Sequence, residues 1–143
     1  MQIWQQKIER LLKDNVSLRI EKENSRLFES VEPMLMALFR CVKDHPAMMK
    51  NATVIDKVTG LAAAYLCIVG EAKEIYTPLA SERALQQLAQ HNIVIKAGQT
   101  VPQILNRDKS APCPMEQMAY SCSSAADFFD KLARRIEAHR KAI

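Results

Sequence analysis

Three short groups of residues in this 143-residue chain could do chemistry. The first is Asp56-Lys57-Val58-Thr59-Gly60, which places a carboxylate, an ammonium, a hydroxyl and a glycine within five positions. It joins a short apolar run (residues 52–56) to an Ala- and Leu-rich run (58–69), so it is expected at a strand-to-helix turn. A helix start presents free backbone N–H groups and a partial positive charge, which suit an anion. On this reading Asp56 caps the helix. Lys57 sits in the first turn, where the helix dipole disfavours a cation. Gly60 falls inside the first turns at a cost of about 1 kcal/mol relative to alanine. Two departures from local preference at the carboxyl end of a strand are what a ligand site tends to show, with a phosphate held by the helix start and Lys57. The plainer alternative is that Asp56 is only a cap and Gly60 only permits close helix–sheet packing.

The second group is Cys113-Pro114-Met115-Glu116. Proline is favoured at the first helical position, so the Cys113 sulfur is expected at a helix N-terminus, where a thiolate is stabilised. Glu116 could reach back to the Cys113 N–H as in a capping box, partly cancelling that preference. Cys113 is then either a nucleophile or a small structural residue at a helix start. The third group is Asn106-Arg107-Asp108, in a loop from 101 to 112. Arg107 could bind a phosphate or carboxylate with two parallel hydrogen bonds, or it could pair with Asp108 or Glu116 to stabilise the loop.

Periodicity supplies the elements that must position these groups. An amphipathic helix is expected over 3–14, then strands at 17–22 and 26–29 joined by a short polar link as a hairpin. Pro33 suits the first turn of a helix to about 43, with Met34, Leu35, Leu38, Phe39 and Val42 on its inner face. The methionines Met34, Met36, Met48 and Met49 read as packing residues. Strand 52–56, helix 58–69, strand 74–77, helix 81–91 capped by Ser81 and strand 93–96 closed by Gly98 follow with short links. That succession implies parallel pairing through right-handed crossovers. A helix opening at Cys113-Pro114 and another capped by Ser124, with Phe128, Leu132 and Ile136 inward, complete the chain. The order predicts α/β class: a three-layer α/β/α sandwich on a mixed sheet, as a single domain over 1–143.

This order resembles the cytidine deaminase fold. Val54-Ile55-Asp56-Lys57-Val58-Thr59-Gly60 followed by Ala62-Ala63-Ala64 resembles an uncharacterised bacterial and archaeal family, domain of unknown function 1893, as do Ile104-Leu105-Asn106-Arg107 and Cys113-Pro114-Met115-Glu116. The resemblance covers nearly the whole chain and implies a cytidine-deaminase-like fold. Zinc deaminases hold their metal with the His of H-x-E and the cysteines of P-C-x-x-C. None of His45, His91 and His139 begins H-x-E, and Pro112-Cys113-Pro114-Met115-Glu116 has a glutamate where the second cysteine belongs. By the resemblance, Ser30-Val31-Glu32-Pro33 stands at the first ligand position and Asp56-Lys57-Val58-Thr59-Gly60 at the second. Neither carries a thiolate or an imidazole, so no metal and no zinc-dependent deamination are expected. Ser30 and Glu32 could line the same pocket, or cap the helix at Pro33.

Composition narrows the functional class. Hydrophobic residues at 48% and charged residues at 25% suit a globular chain. The longest apolar stretch, 61–69, is too short to span a bilayer, and the charged opening segment is no secretory signal. Cys41, Cys67, Cys113 and Cys122 form no C-x-x-C pair, and reduced thiols in the cytoplasm are the expectation. The net charge of +4 is concentrated near the end of the chain, at Arg134, Arg135, Arg140 and Lys141, without a nucleic-acid-binding motif.

The leading expectation is a zinc-free protein binding a nucleotide-like small ligand at the carboxyl end of the central strand, with no other cofactor. Asp56, Lys57, Thr59, Gly60 and Arg107 would line the pocket, with Asn106, Ser30 and Glu32 nearby. One alternative is an enzyme of altered chemistry, with Cys113 or Asp56 as nucleophile and Glu116 or Glu32 as acid–base. The other is a non-catalytic interaction module. A homodimer is expected on all three; a membrane or nucleic-acid partner is not.

Overall fold

The structure, a computed structural model, describes residues 1–33 and 35–142. In chain order its elements are α1 (Ile3–Lys13), β1 (Leu18–Lys22), β2 (Ser25–Ser30), α2 (Met36–Asp44), α3 (Pro46–Met49), β3 (Thr53–Asp56), α4 (Leu61–Val69), β4 (Glu74–Ser81), α5 (Glu82–Gln90), β5 (Val94–Val101), α6 (Pro114–Tyr120) and α7 (Ala125–Ala142). The strands form one mixed sheet in the order β2-β1-β3-β4-β5. β1 runs antiparallel to both β2 and β3, while β3, β4 and β5 are mutually parallel. The α/β class, the mixed sheet and the flanking helices agree with the sequence reading.

Alternation along the central strands assigns the two faces of the sheet. Val54 and Ile75 point into the larger core with α4, whereas Ile55 and Tyr76 meet Leu11 and Val16 on the opposite face, which α1 covers. Lys7 of α1 donates to Glu21 of β1 at 2.5 Å, tying the rim of that face. α4 contacts α2, α5, α6 and α7 and has no exposed stripe: Leu61, Ala62, Ala63, Ala64, Tyr65, Leu66 and Cys67 are all buried. A helix enclosed on every side needs small residues where neighbours crowd, which accounts for the three alanines. Phe128 and Leu132 of α7 complete this core, with the Tyr65 and Phe128 rings 5.8 Å apart.

Several boundaries differ from the sequence reading, two of them for a tertiary reason. α2 begins at Met36 rather than at Pro33. Met34, expected on its inner face, lies outside the described residues. α2 ends at Asp44 with His45 as its C-cap, and Pro46 opens the one-turn α3, whose Met49 is fully buried. α4 starts at Leu61, because Thr59 first pairs with Ala80 in an isolated parallel bridge: Thr59 N–H donates to the Leu79 carbonyl at 2.8 Å and Ser81 N–H to the Thr59 carbonyl at 3.1 Å. β4 and β5 continue to Ser81 and Val101 because Gly98 lies against Pro78, where a Cβ would sit 3.0 Å from the proline carbonyl oxygen. The predicted caps at Ser81 and Ser124 are present, accepting from the Ala84 and Asp127 N–H groups at 3.2 and 3.0 Å.

Candidate functional site

The start of α4 is occupied by a carboxylate from elsewhere in the chain. Glu116 of α6, 3% exposed, accepts from the Leu61 N–H with Oε1 and from the Ala62 N–H with Oε2, both at 2.7 Å. Gly60 is the N-cap residue, and its missing side chain makes room: a Cβ there would lie 2.2 Å from Oε1. The glycine thus belongs to an internal cap linking α6 to α4. Burial raises the Glu116 pKa, and the two N–H donors oppose that shift. The capping-box contact from Glu116 back to Cys113 is not formed; the Cys113 N–H donates to the Ile104 carbonyl at 3.0 Å.

The later helix start corrects two further points. Asp56 does not cap α4, because it ends β3 ahead of the Thr59 bridge. Lys57 is exposed and precedes the first turn, so it meets no dipole penalty. Asp56 is half-buried, and burial lifts its carboxyl to about 7 despite opposing N–H groups from Lys57 and Val58. Thr59 is fully buried, and its hydroxyl has no hydrogen-bond partner among the described residues.

The fold gathers part of the expected set around Ser17. The Lys57 N–H donates to the Ser17 carbonyl at 3.0 Å, and the Ser17 hydroxyl lies 3.0 Å from the Ser30 carbonyl and 2.6 Å from the Glu32 carbonyl. Ser30 Oγ accepts from the Glu32 N–H at 3.0 Å, and the Glu32 carboxylate pairs with Arg40. Ser17, just before β1, thus stands between the end of β2, followed by Glu32, and the end of β3, followed by Lys57, while Ser30 and Asp56 flank Leu18 of β1 on opposite sides. The third group folds on itself: Asn106 Oδ1 and Asp108 Oδ1 both accept from the Ser110 N–H, at 3.1 and 3.0 Å. Arg107 is exposed, and the pairing expected with Asp108 or Glu116 is not formed.

A cleft that the sequence reading did not identify opens beside the start of α4. It holds about 630 Å³ and is lined by Leu61 and Tyr65 of α4, Arg83 and Gln86 of α5, Tyr120 of α6, and Gln103 just after β5. Glu82 and Pro102, also lining it, directly follow the carboxyl ends of parallel β4 and β5, where open α/β sheets bind ligands. The Arg83 guanidinium stacks over the Tyr120 ring, 4.1 Å from its centroid. The Tyr120 hydroxyl is buried without a hydrogen-bond partner among the described residues. Burial raises the pKa of both tyrosines, with Glu116 adding to the effect on Tyr120 and Cys122 to that on Tyr65. Both phenols therefore stay protonated and can donate. Arg83 and Tyr120 lie 37 positions apart, and no local pattern announces their pairing.

Glu116 is committed to two backbone donors, and among the described residues no three His, Cys, Asp or Glu side chains are placed to share a metal. The four cysteines are free thiols, Cys41 and Cys67 buried, Cys113 and Cys122 half-buried. No helix among the described residues is long and apolar enough to cross a membrane.

Comparison with known proteins gives a family. No curated protein matches the chain significantly. The crystal structure of a DUF1893 family protein from Thermotoga maritima is similar, with a TM-score of 0.81 at 20% identity, covering 92% of this chain and 88% of that one. At that identity the likeness shows the fold. The family described as Domain of unknown function (DUF1893) matches residues 6–136. The chain thus belongs to the DUF1893 family.

Proposed function

We propose that the protein binds a small, anionic, nucleotide-like ligand in the cleft between α4, α5 and α6. The observation that carries this reading is the Arg83–Tyr120 pair, a cation stacked on a ring whose buried hydroxyl lacks a partner. Arg83 offers a planar fork suited to phosphate or carboxylate. The Tyr120 hydroxyl, covered as it stands, would reach a ligand acceptor once the side chains over it shift, and that bond would remove the cost of leaving it unsatisfied. Gln86 and Gln103 add amide donors and acceptors, and the volume suits a mononucleotide-sized molecule. The ligand sits beside the Gly60–Leu61 turn but does not cap α4, since Glu116 holds those N–H groups. The fold is read as cytidine-deaminase-like, supported by the helix–hairpin–helix opening and the parallel β3-β4-β5 run. A single domain, homodimeric and cytoplasmic, completes the reading.

Calorimetric titration with nucleoside mono-, di- and triphosphates tests it. Arg83→Ala is expected to weaken the tightest binder roughly 10- to 100-fold, as for losing a hydrogen bond to a charged group. Tyr120→Phe is expected to weaken it by roughly 3- to 10-fold. Absence of binding at millimolar concentration, or binding indifferent to both changes, would refute the proposal.

A second reading, an enzyme of altered chemistry, is favoured by Asp56 alone. A carboxyl titrating near neutrality at the end of β3 has the acidity of a general acid or base. Cys113 and Glu116, the other catalytic candidates, lie in α6, where the carboxylate serves as the α4 cap. Intact-mass detection of a covalent adduct on Asp56 or Cys113 after exposure to activated nucleotides would establish this reading over simple binding.

A further inference from the structure

An apolar groove of about 620 Å³, which shares no lining residue with the Arg83 cleft, runs between α2 and α7. Its floor is Met36, Phe39, Met115, Leu132 and Ile136. Phe39 and Leu132 are nearly covered, whereas Met36, Met115 and Ile136 remain half-exposed. Both walls are cationic: Arg40 and Lys43 on α2, and Arg135 and Arg140 on α7, against the single carboxylate of Asp44. Glu32 neutralises Arg40, but among the described residues no carboxylate lies within ion-pair distance of Lys43, Arg135 or Arg140. Of the basic residues near the chain end, Arg135 and Arg140 form one wall of an apolar trough, while Arg134 pairs with Asp130.

We infer that this groove docks an amphipathic helix of a partner protein, one whose apolar stripe is flanked by acidic residues on both sides. Helix-in-groove recognition places anchors at i, i+3, i+4 and i+7 in such a trough, and the flexible thioethers of Met36 and Met115 can adapt to different anchors. The charge of both walls selects an acidic occupant. That argues against a second copy of this chain: α1, which exposes Ile3 and Leu12, carries Lys7, Arg10 and Lys13 against only Glu9. Like charges would meet on both flanks. Nucleic acid is disfavoured by the apolar floor, whose one aromatic ring, Phe39, is buried too deeply to stack with a base.

The test uses the full chain and a fluorescent synthetic helix with leucines at i, i+4, i+7 and i+11 flanked by glutamates, its lysine-flanked counterpart and a scrambled control. Anisotropy at low salt should show micromolar binding of the glutamate peptide alone, weakening several-fold as salt rises past 0.3 M. Lys43→Glu with Arg135→Glu should reduce affinity at least tenfold, while Arg83→Ala should leave it unchanged. Equal binding of the lysine peptide, no binding below about 100 μM, or tighter binding to anionic vesicles or duplex DNA would overturn the inference. So would a dimer in sedimentation that dissociates when Lys43 and Arg135 are reversed, since a second copy would then fill the groove.

Discussion

Glu116 and Gly60 show how a residue can look functional for a reason the local sequence does not contain. Glycine near a helix start suggests space for a ligand, and the space is real, but Glu116 fills it from far along the chain. Two charge-assisted hydrogen bonds in a buried setting are worth more than an exposed cap, because removing the carboxylate strands two N–H groups away from water. Glu116→Ala is expected to lower stability by about 3 kcal/mol in urea denaturation. Gly60→Ala is expected to cost about 2 kcal/mol, by pushing the carboxylate off its donors. The double variant should cost clearly less than the sum, because the clash and the cap are one interaction. Strict additivity of the two losses would show that the glycine serves something other than Glu116.

At the level of elements, the sequence was informative wherever a segment's periodicity answers to its own environment. α1, β2, α5 and α7 each show a more buried and a solvated side, whereas β1 buries Arg19 and Glu21 as well as the alternating Leu18 and Ile20. Boundaries failed where a neighbour decides. Thr59 extends the sheet by one bridge and delays α4. Gly98 looks like a strand stop, yet it is the residue that lets β5 continue past Pro78. Gly98→Val is expected to force β5 outward at that point, costing about 1–2 kcal/mol as overpacking against backbone. Hydrogen exchange should show faster amide exchange after residue 97, with β3 unaffected. Unchanged protection there would mean that the contact with Pro78 is not what sets the strand's length.

For the molecule as a whole, the candidate site was only half legible. The carboxyl ends of the central strands drew attention in the sequence, and the Arg83 cleft opens at that end too, because strand-to-helix turns collect there in any parallel α/β arrangement. The Arg83–Tyr120 pair was out of reach, since it requires knowing that α6 folds back over α4 and α5. Asp56 was visible as a polar residue closing a strand, but its acidity depends on what the assembled sheet and α4 exclude. That acidity couples one side chain to global stability. Burial lifts the Asp56 carboxyl from 3.8 to about 7, so across this interval the folded chain holds a proton that the unfolded chain has released. The Asp56 contribution is therefore fully present below 3.8 and is lost as pH rises to about 7. Asp14, Asp108 and Asp127, whose pKa values are lowered by their partners, act in the opposite sense. They are common to wild type and to Asp56→Asn, so the difference between the two proteins isolates Asp56. The asparagine variant should gain stability relative to wild type steadily between pH 4 and 7, and the gap should level off above that. Urea denaturation at five or six pH values measures it, and a difference that does not change with pH would mean that Asp56 keeps an ordinary carboxylate acidity in the folded protein.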